Sequence, residues 1–374
     1  MNTRSLIATG IICATVIATA AFLSNAGPLT PPAGPIAPTN KTLSEVEPRI
    51  AVNATNTPGS ATALFVISQP GSYYLTGNIT GVASKNGIEI TASNVTLDLN
   101  GFALQGVAGS LDGVHVNVGV TTGVTVEHGA VTGWGLDGVD MSFAKKSTLR
   151  LVRAAGNGAF GLLIGESSVM DACVANDNIS GGVSANNSCV ISNTTFSDNG
   201  GDGISTATGA VIVACAAYRN AGRGIFTNGS TVSDNTARSN GSVGISAGSG
   251  SIVSGNTASN NTGDGILVNT ETFVRGNTCK SNGFQTGDGA GIHTASFGSR
   301  IEGNNVTRND RGIDVDSTHN LIVRNSAYDN GVNYDIATGN RVGVIVFSPV
   351  SGAILGNSGG AGVGTTDPWA NFTF

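Results

Sequence analysis

The chain has 374 residues, 55 of them Gly, only 11% charged residues and a net charge of -6. That acidic balance leaves no electrostatic footprint for nucleic acid or an anionic membrane surface, and 40% hydrophobic residues exclude a disordered chain. Gly at about twice its usual share, with Asn, Thr and Ser crowding the rest, excludes a mainly helical protein.

In chain order, the first element is an export signal. Arg4 precedes an apolar run from Leu6 to Leu23, and Ser24-Asn25-Ala26 follows with small residues where a signal peptidase reads. Residues 1–26 are expected to be removed as a signal peptide, which implies a secreted or cell-envelope protein. The rival reading is a retained anchor, but the run is diluted by Thr9, Gly10, Thr15 and Thr19 and is borderline in length for a span. After cleavage no stable membrane span is expected. Residues 27–44 form a Pro-rich linker; five of the ten prolines fall in 27–38, as in an extended tether.

From residue 45 onward the chain is one repeat. A Gly followed by an aliphatic residue recurs at Gly87, Gly113, Gly138, Gly161, Gly182, Gly203, Gly224, Gly244, Gly265, Gly291 and Gly312. Two Asn columns keep the same beat of about 21 residues. One runs Asn178, Asn199, Asn220, Asn240, Asn261, Asn282, Asn309, Asn330; the other runs Asn193, Asn235, Asn256, Asn277, Asn304, Asn325, with Ala214 as its gap. A fixed period of this kind means stacked coils. Gly-Ile-x-Val turns two apolar residues inward and x outward, as a strand requires. Identical residues then stack about 4.8 Å apart, and Asn can hydrogen-bond along such a column. No Pro occurs between Pro70 and Pro349, which suits uninterrupted parallel pairing. Residues 45–80 carry the apolar set Leu64, Phe65, Val66, Tyr73, Tyr74 and Leu75 and are expected to cap the first coil; residues 340–374 are expected to close the last.

With these motifs in place, the chain resembles the secreted right-handed parallel β-helix repeat proteins of the pectate-lyase-like superfamily. The resemblance covers roughly 45–374. It is carried by QPGSYYLTGNITG (Gln69–Gly81), NGIEITASNVTLDLNGF (Asn86–Phe102) and the closing DPWANF (Asp367–Phe372). It implies an all-β, single-stranded right-handed parallel β-helix of about 11–12 coils. Relatives include lyases, hydrolases and epimerases of acidic polysaccharides as well as non-catalytic surface proteins, and the fold does not choose between them. No Asp-Pro-His motif of the alginate epimerases is present, and Glu127-His128-Gly129 is only a partial echo of the pectin hydrolases. No catalytic residue carries over from any family.

Cys173, Cys189, Cys215 and Cys279 read as free thiols. Cys173 and Cys215 share a column two rungs apart, about 9.6 Å, beyond disulfide reach; Cys279 aligns with the inward column of Ala216, Ala237 and Ala258.

The outward position after each Gly-aliphatic pair makes one exposed column: Glu89, His115, Asp140, Leu163, Ser184, Ser205, Phe226, Ser246, Leu267, His293, Asp314, Asp335. Ionisable residues gather at its ends. At the first end, Glu89, Asp112, His115, Asp137 and Asp140 are the candidate catalytic residues. Their rung spacing brackets the carboxylate separations of glycosidases, closely spaced acids push one pKa up, and a histidine between acids suits a base near neutral pH. Trp134 is the candidate substrate-binding residue, stacking on a sugar ring. At the second end, among Asp288, His293, Asp310, Arg311, Asp314, Asp316 and Asp335, the acids Asp310, Asp314 and Asp316 are candidate calcium ligands.

The expected function is polysaccharide binding, with lyase or hydrolase activity at the first cluster; the alternative is a non-catalytic surface, scaffold or adhesion protein. No nucleic-acid partner is expected, and a monomer is.

Overall fold

The computed structural model describes residues 47–374 apart from 118, 120, 284–288 and 348–362. The expected signal peptide and linker therefore lie outside the described residues, as does Asp288. Arg49–Phe374 forms one compact unit.

The unit is a β-solenoid. Among the described residues there is no helix, and every strand pairing is parallel. Each coil carries three short strands, for example Ile204–Thr208, Val211–Val213 and Ala216–Tyr218. The first strand of each coil stacks into a thirteen-stranded sheet that runs from Ala63–Ile67 to Val332–Ile336. The second and third stack into the other two faces, which share one larger sheet because Thr125–Thr132 and Thr148–Ala155 run unbroken round the corner.

The solenoid thus has about fourteen turns, more than the 11–12 expected. The surplus comes from segments expected to be caps. Ala63–Ile67, Gly71–Tyr74 and Ile79–Thr80 pair in register with Asn86–Ile90, Val95–Asp98 and Ala103–Gln105, so residues 63–80 are a full coil without the Gly-aliphatic marker. At the C-terminal end a late strand joins the stack. Asn371–Thr373 inserts between Ser326–Tyr328 and Ile345–Phe347.

The corners explain the sequence. Each is made by one residue in the left-handed region, followed by an inward small or polar residue. At one corner these are Asp177, Asp198, Arg219 and Ser239, followed by Asn178, Asn199, Asn220 and Asn240. A tight corner turns inward a backbone N–H that no strand pairs, and the Asn side chain answers it. In the first Asn column each Oδ1 accepts both the backbone N–H and the side-chain amide of the preceding coil, with Nδ2–Oδ1 distances of 2.8–3.0 Å from Asn157 to Asn333. The other Nδ2 proton goes to a carbonyl, such as Phe196 O for Asn220. Buried amides with every hydrogen bond made add specificity without an orphan penalty.

The Gly column is the other half of this packing. A Cβ at Gly138 would lie 2.7 Å from Asn157 Nδ2 and 2.5 Å from the Gly161 carbonyl. The Asn ladder occupies the space where that side chain would stand.

All four described cysteines are free and buried. Burial pushes Cys173 up to about 12 and Cys215 up to about 11, so they are inert. Cys279 aligns with Ala258, Ala237 and Ala217; the aligned residue is Ala217 rather than Ala216 because that coil is one residue short.

Candidate functional site

The thirteen-stranded sheet presents the outward column in the expected register, Glu89 beside His115, His115 beside Asp140, and so on to Asp335. A second column lies just before the glycines. Its Asn and Asp side chains have a backbone duty. Asn86 Oδ1 accepts the amide of Asp112, Asp112 Oδ1 that of Asp137, and Asp137 Oδ1 that of Phe160, at 3.0, 2.8 and 2.7 Å. Asp202 and Asp264 do the same for Arg223 and Ala290. Each acid spends one oxygen on the next coil and keeps the other for chemistry or pairing.

The first cluster forms where both columns are ionisable. His115 Nδ1 sits 3.0 Å from Asp112 Oδ2 and 3.4 Å from Asp140 Oδ2. Neither oxygen lies along the ring N–H, so the buried nitrogen makes no well-aligned hydrogen bond and the contact is an ion pair. Asp112 first and Asp140 second push His115 up to about 10, against the opposing effect of burial. Burial raises Asp140, but His115 and the Ser142 hydroxyl and amide outweigh it and hold the carboxyl low. Asp137 is the exception. Burial first, then the charges of Asp112 and Asp140, push it up to about 6, against the amide of Phe160. Among the described residues no Lys or Arg pairs with Asp112, Asp137 or Asp140.

This arrangement revises the roles expected from sequence. His115 is a cation at neutral pH and not a free base. The group poised to hold or release a proton near neutrality is Asp137. Glu89 shares the face but is 8% exposed and held by Thr62 and Asn117, so it borders the cluster.

Trp134 is a correction. It is 1% exposed, donates Nε1–H to the Leu104 carbonyl at 3.2 Å, and its backbone N–H donates to Asn157 Oδ1. It occupies the Asn-ladder position one coil before Asn157. A Cβ at Gly87 would lie 2.7 Å from its ring, and one at Gly81 or Gly113 about as close. Trp134 plugs the start of the ladder and has no face for a sugar. The aromatic side chain that is exposed beside the cluster is Phe143, 45% accessible, in a cleft with Ser142, Lys145, Glu166 and Asn186. Its signal in the sequence is its place three residues after Asp140, on the solvent side of a long coil.

At the second cluster the structure gathers His293, Asp314 and Asp316, with ligand atoms within 4.8 Å of one another. Asp310 lies outside that group, so the expected trio is corrected: it precedes the Arg311–Val315 strand, four residues and roughly 13 Å before Asp314 along the extended chain. His293 Nδ1 is 3.2 Å from Asp264 Oδ2 and its Nε2 is 3.0 Å from Asp316 Oδ2. Burial lowers His293, but Asp264 and the other acids outweigh it and push it up to about 9. Arg311 holds Asp314 at 2.9 Å and Asp335 at 3.2 Å. One imidazole and two carboxylates are not the all-oxygen set that calcium prefers, and each carboxylate already has a cation.

Sequence reasoning passed over Asp264, and also a third group, Asp98, Glu127 and His128. That group lies on the larger sheet, where Arg49 and Arg150 neutralise Asp98 and Glu127.

Against known proteins, residues 80–231 match the model of the right-handed β-helix region, and residues 226–348 match that of NosD, a periplasmic copper-binding protein. No curated protein matches the chain. The fold is similar to a tailspike protein of E. coli bacteriophage HK620 solved in complex with a pentasaccharide. That pair shares 14% identity at TM-score 0.57, over 82% of this chain and 73% of the tailspike. It is also similar to a double mutant of the periplasmic alginate epimerase AlgG, at 12% identity and TM-score 0.50 over 72% and 80%. The A-module of an Azotobacter vinelandii mannuronan C-5 epimerase aligns at 16% identity and TM-score 0.47 over 79% and 86%.

Proposed function

Starting from the chain being a right-handed parallel β-helix repeat protein, we propose that it is an exported polysaccharide-binding protein whose cluster around His115 processes a glycosidic linkage. The carrying observation is Asp137. It is pushed up to about 6 by burial and by the charges of Asp112 and Asp140, and Asp140 in turn is held by Ser142, which lines the cleft that carries Phe143. A carboxyl group titrating there serves as acid and base near neutral pH, a role worth about 10²–10⁴ in rate. Asp140 is held low by His115 and Ser142, so it supplies the second carboxylate of a hydrolase pair. His115 holds Asp112 and Asp140 in place and offsets their charge. Because acids outnumber cations here, a neutral glycan suits this face better than a polyanion. The relatives' own ligands, a pentasaccharide and alginate, support a glycan in general.

The second reading is a non-catalytic envelope scaffold. It is favoured by the bland middle of the column, Ser184, Ser205 and Ser246, and by the backbone duty of the acids. Incubation of the protein with neutral glycans and polyuronates, followed by anomeric NMR, separates the two. New reducing-end or unsaturated signals that vanish in Asp137→Asn support the site. Unchanged spectra with no line broadening support the scaffold.

A further inference from the structure

The face opposite in chemistry to the His115 cluster lies at the corner between the second and third strands of the C-terminal coils. There the left-handed corner position, filled elsewhere by Asn193, Ala214, Asp234 or Arg324, is glycine on three successive coils: Gly255, Gly276 and Gly303. A Cβ at Gly276 or Gly303 would meet nothing within 4 Å. The glycines therefore leave an open floor. With Asp234 and Arg324 at its ends, the resulting trough follows the solenoid axis for four coil intervals, roughly 19 Å.

Its wall carries Arg275 and Arg324 with Asp234 and Glu302, and Arg300 stands beside it on Glu302. Arg300 and Arg324 gather around one carboxylate, Glu302, and Arg275 is its register neighbour on the preceding coil. Arg300 holds Glu302 at 2.7 Å and Arg324 holds it at 3.1 Å. Arg275 is exposed and has no acidic partner among the described residues. The aromatic rings serve the guanidinium groups. Arg275 and Arg300 both lie over Phe273, with 5.3 and 5.7 Å to its centroid, and Arg324 lies 4.1 Å over Trp369. Stacking fixes a planar guanidinium and leaves its edge N–H groups outward, the geometry that takes a carboxylate bidentately.

We propose that this trough is a binding site for an acidic polysaccharide strand, with the carboxylate of a uronate unit on Arg275. A linear trough suits a linear polymer. Asp234 and Glu302 supply acceptors for sugar hydroxyls, which a phosphodiester backbone lacks as partners. Phe273 already carries two guanidinium groups, which compete with the base stacking that single-stranded nucleic acid uses. The site lies on a different face from Asp137 and does not depend on the reading of that cluster. The two faces divide the work by charge: the acid-rich sheet suits a neutral segment and the arginine trough an anionic one.

The test titrates the full protein with oligogalacturonate, with its methyl-esterified form, and with a single-stranded oligonucleotide, by NMR or calorimetry at two salt concentrations. Binding of oligogalacturonate that weakens at least tenfold in Arg275→Glu and on esterification, and is unchanged in Asp137→Asn, is the expected result. Arg275 carries no ion pair, so its substitution should leave the melting temperature within about 1 °C; a second variant, Arg275→Gln, gives a smaller loss in the same direction. Equal binding of the esterified chain, preference for the oligonucleotide, or indifference to both Arg275 variants overturns the proposal.

Discussion

Two clusters on one sheet use the same parts to opposite ends. In each, an acid before a glycine caps the next coil's amide, and a histidine follows on the outward column with an acid on the coil after. Asp112, His115 and Asp140 form one set; Asp264, His293 and Asp314 form the other. At the second, both nitrogens of His293 are engaged and Arg311 pins Asp314 and Asp335. Nothing is left over, and the network reads as structural. At the first, no arginine among the described residues pairs with the acids, His115 is badly aligned to them, and Asp137 keeps a proton-binding oxygen. Stacked coils bring acids and histidines together simply by register; unspent valence is what separates a site from an edge.

The largest expected difference is in turnover. With a processed glycan in hand, Asp137→Asn should lower the rate at least about 100-fold, while Asp314→Asn should stay within about twofold. Equal losses would erase the distinction between the clusters.

Next in size is the contrast between the two aromatics. Trp134→Ala should cost about 4 kcal/mol in denaturant unfolding, because it opens the start of the Asn ladder. Phe143→Ala should change stability by less than about 0.5 kcal/mol and weaken glycan binding instead. A stable Trp134 variant would return that residue to the surface.

The pH dependence is a smaller effect. His115 and His293 hold their protons more tightly in the folded state, so their pairing stabilises fully below pH 6.5. It is lost as pH rises toward about 10 for His115 and about 9 for His293. His115→Gln should remove roughly 2 kcal/mol of that decline, read as a flatter plot of melting temperature against pH. Asp137 binds its proton more tightly when folded, so its charge costs stability above about pH 6; Asp137→Asn should gain there. A pH plot unchanged by either variant would show that the first cluster is as solvated as an ordinary surface.

The smallest expectation concerns calcium. Chelator should move the melting temperature by less than about 1 °C, since Arg311 and His293 already hold Asp314 and Asp316. A marked fall would restore calcium to the second cluster.

The coil period, the Asn columns and the outward column were legible because parallel stacking repeats one residue environment every coil. Glu89, His115 and Asp140 could thus be placed side by side from spacing alone. Trp134 was misread because an aromatic next to acids looks like a sugar platform until its column is matched to Asn157. Asp310 was misread because nearness in sequence to Asp314 looks like a shared site, whereas an extended strand sets the two roughly 13 Å apart. Residues 45–80 read as a cap because the coil within them lacks the glycine that elsewhere yields to the Asn ladder. The arginine trough left no trace because its three arginines come from different strands and are joined only by the glycines at the corner.

The most direct measurement is the carboxyl ¹³C titration of Asp137 in the intact protein. A midpoint near 6, lowered when Asp112 and Asp140 are changed to Asn, is the predicted result. A midpoint near the ordinary value of about 4, insensitive to those changes, would contradict the acid–base reading and make the first cluster an edge like the second.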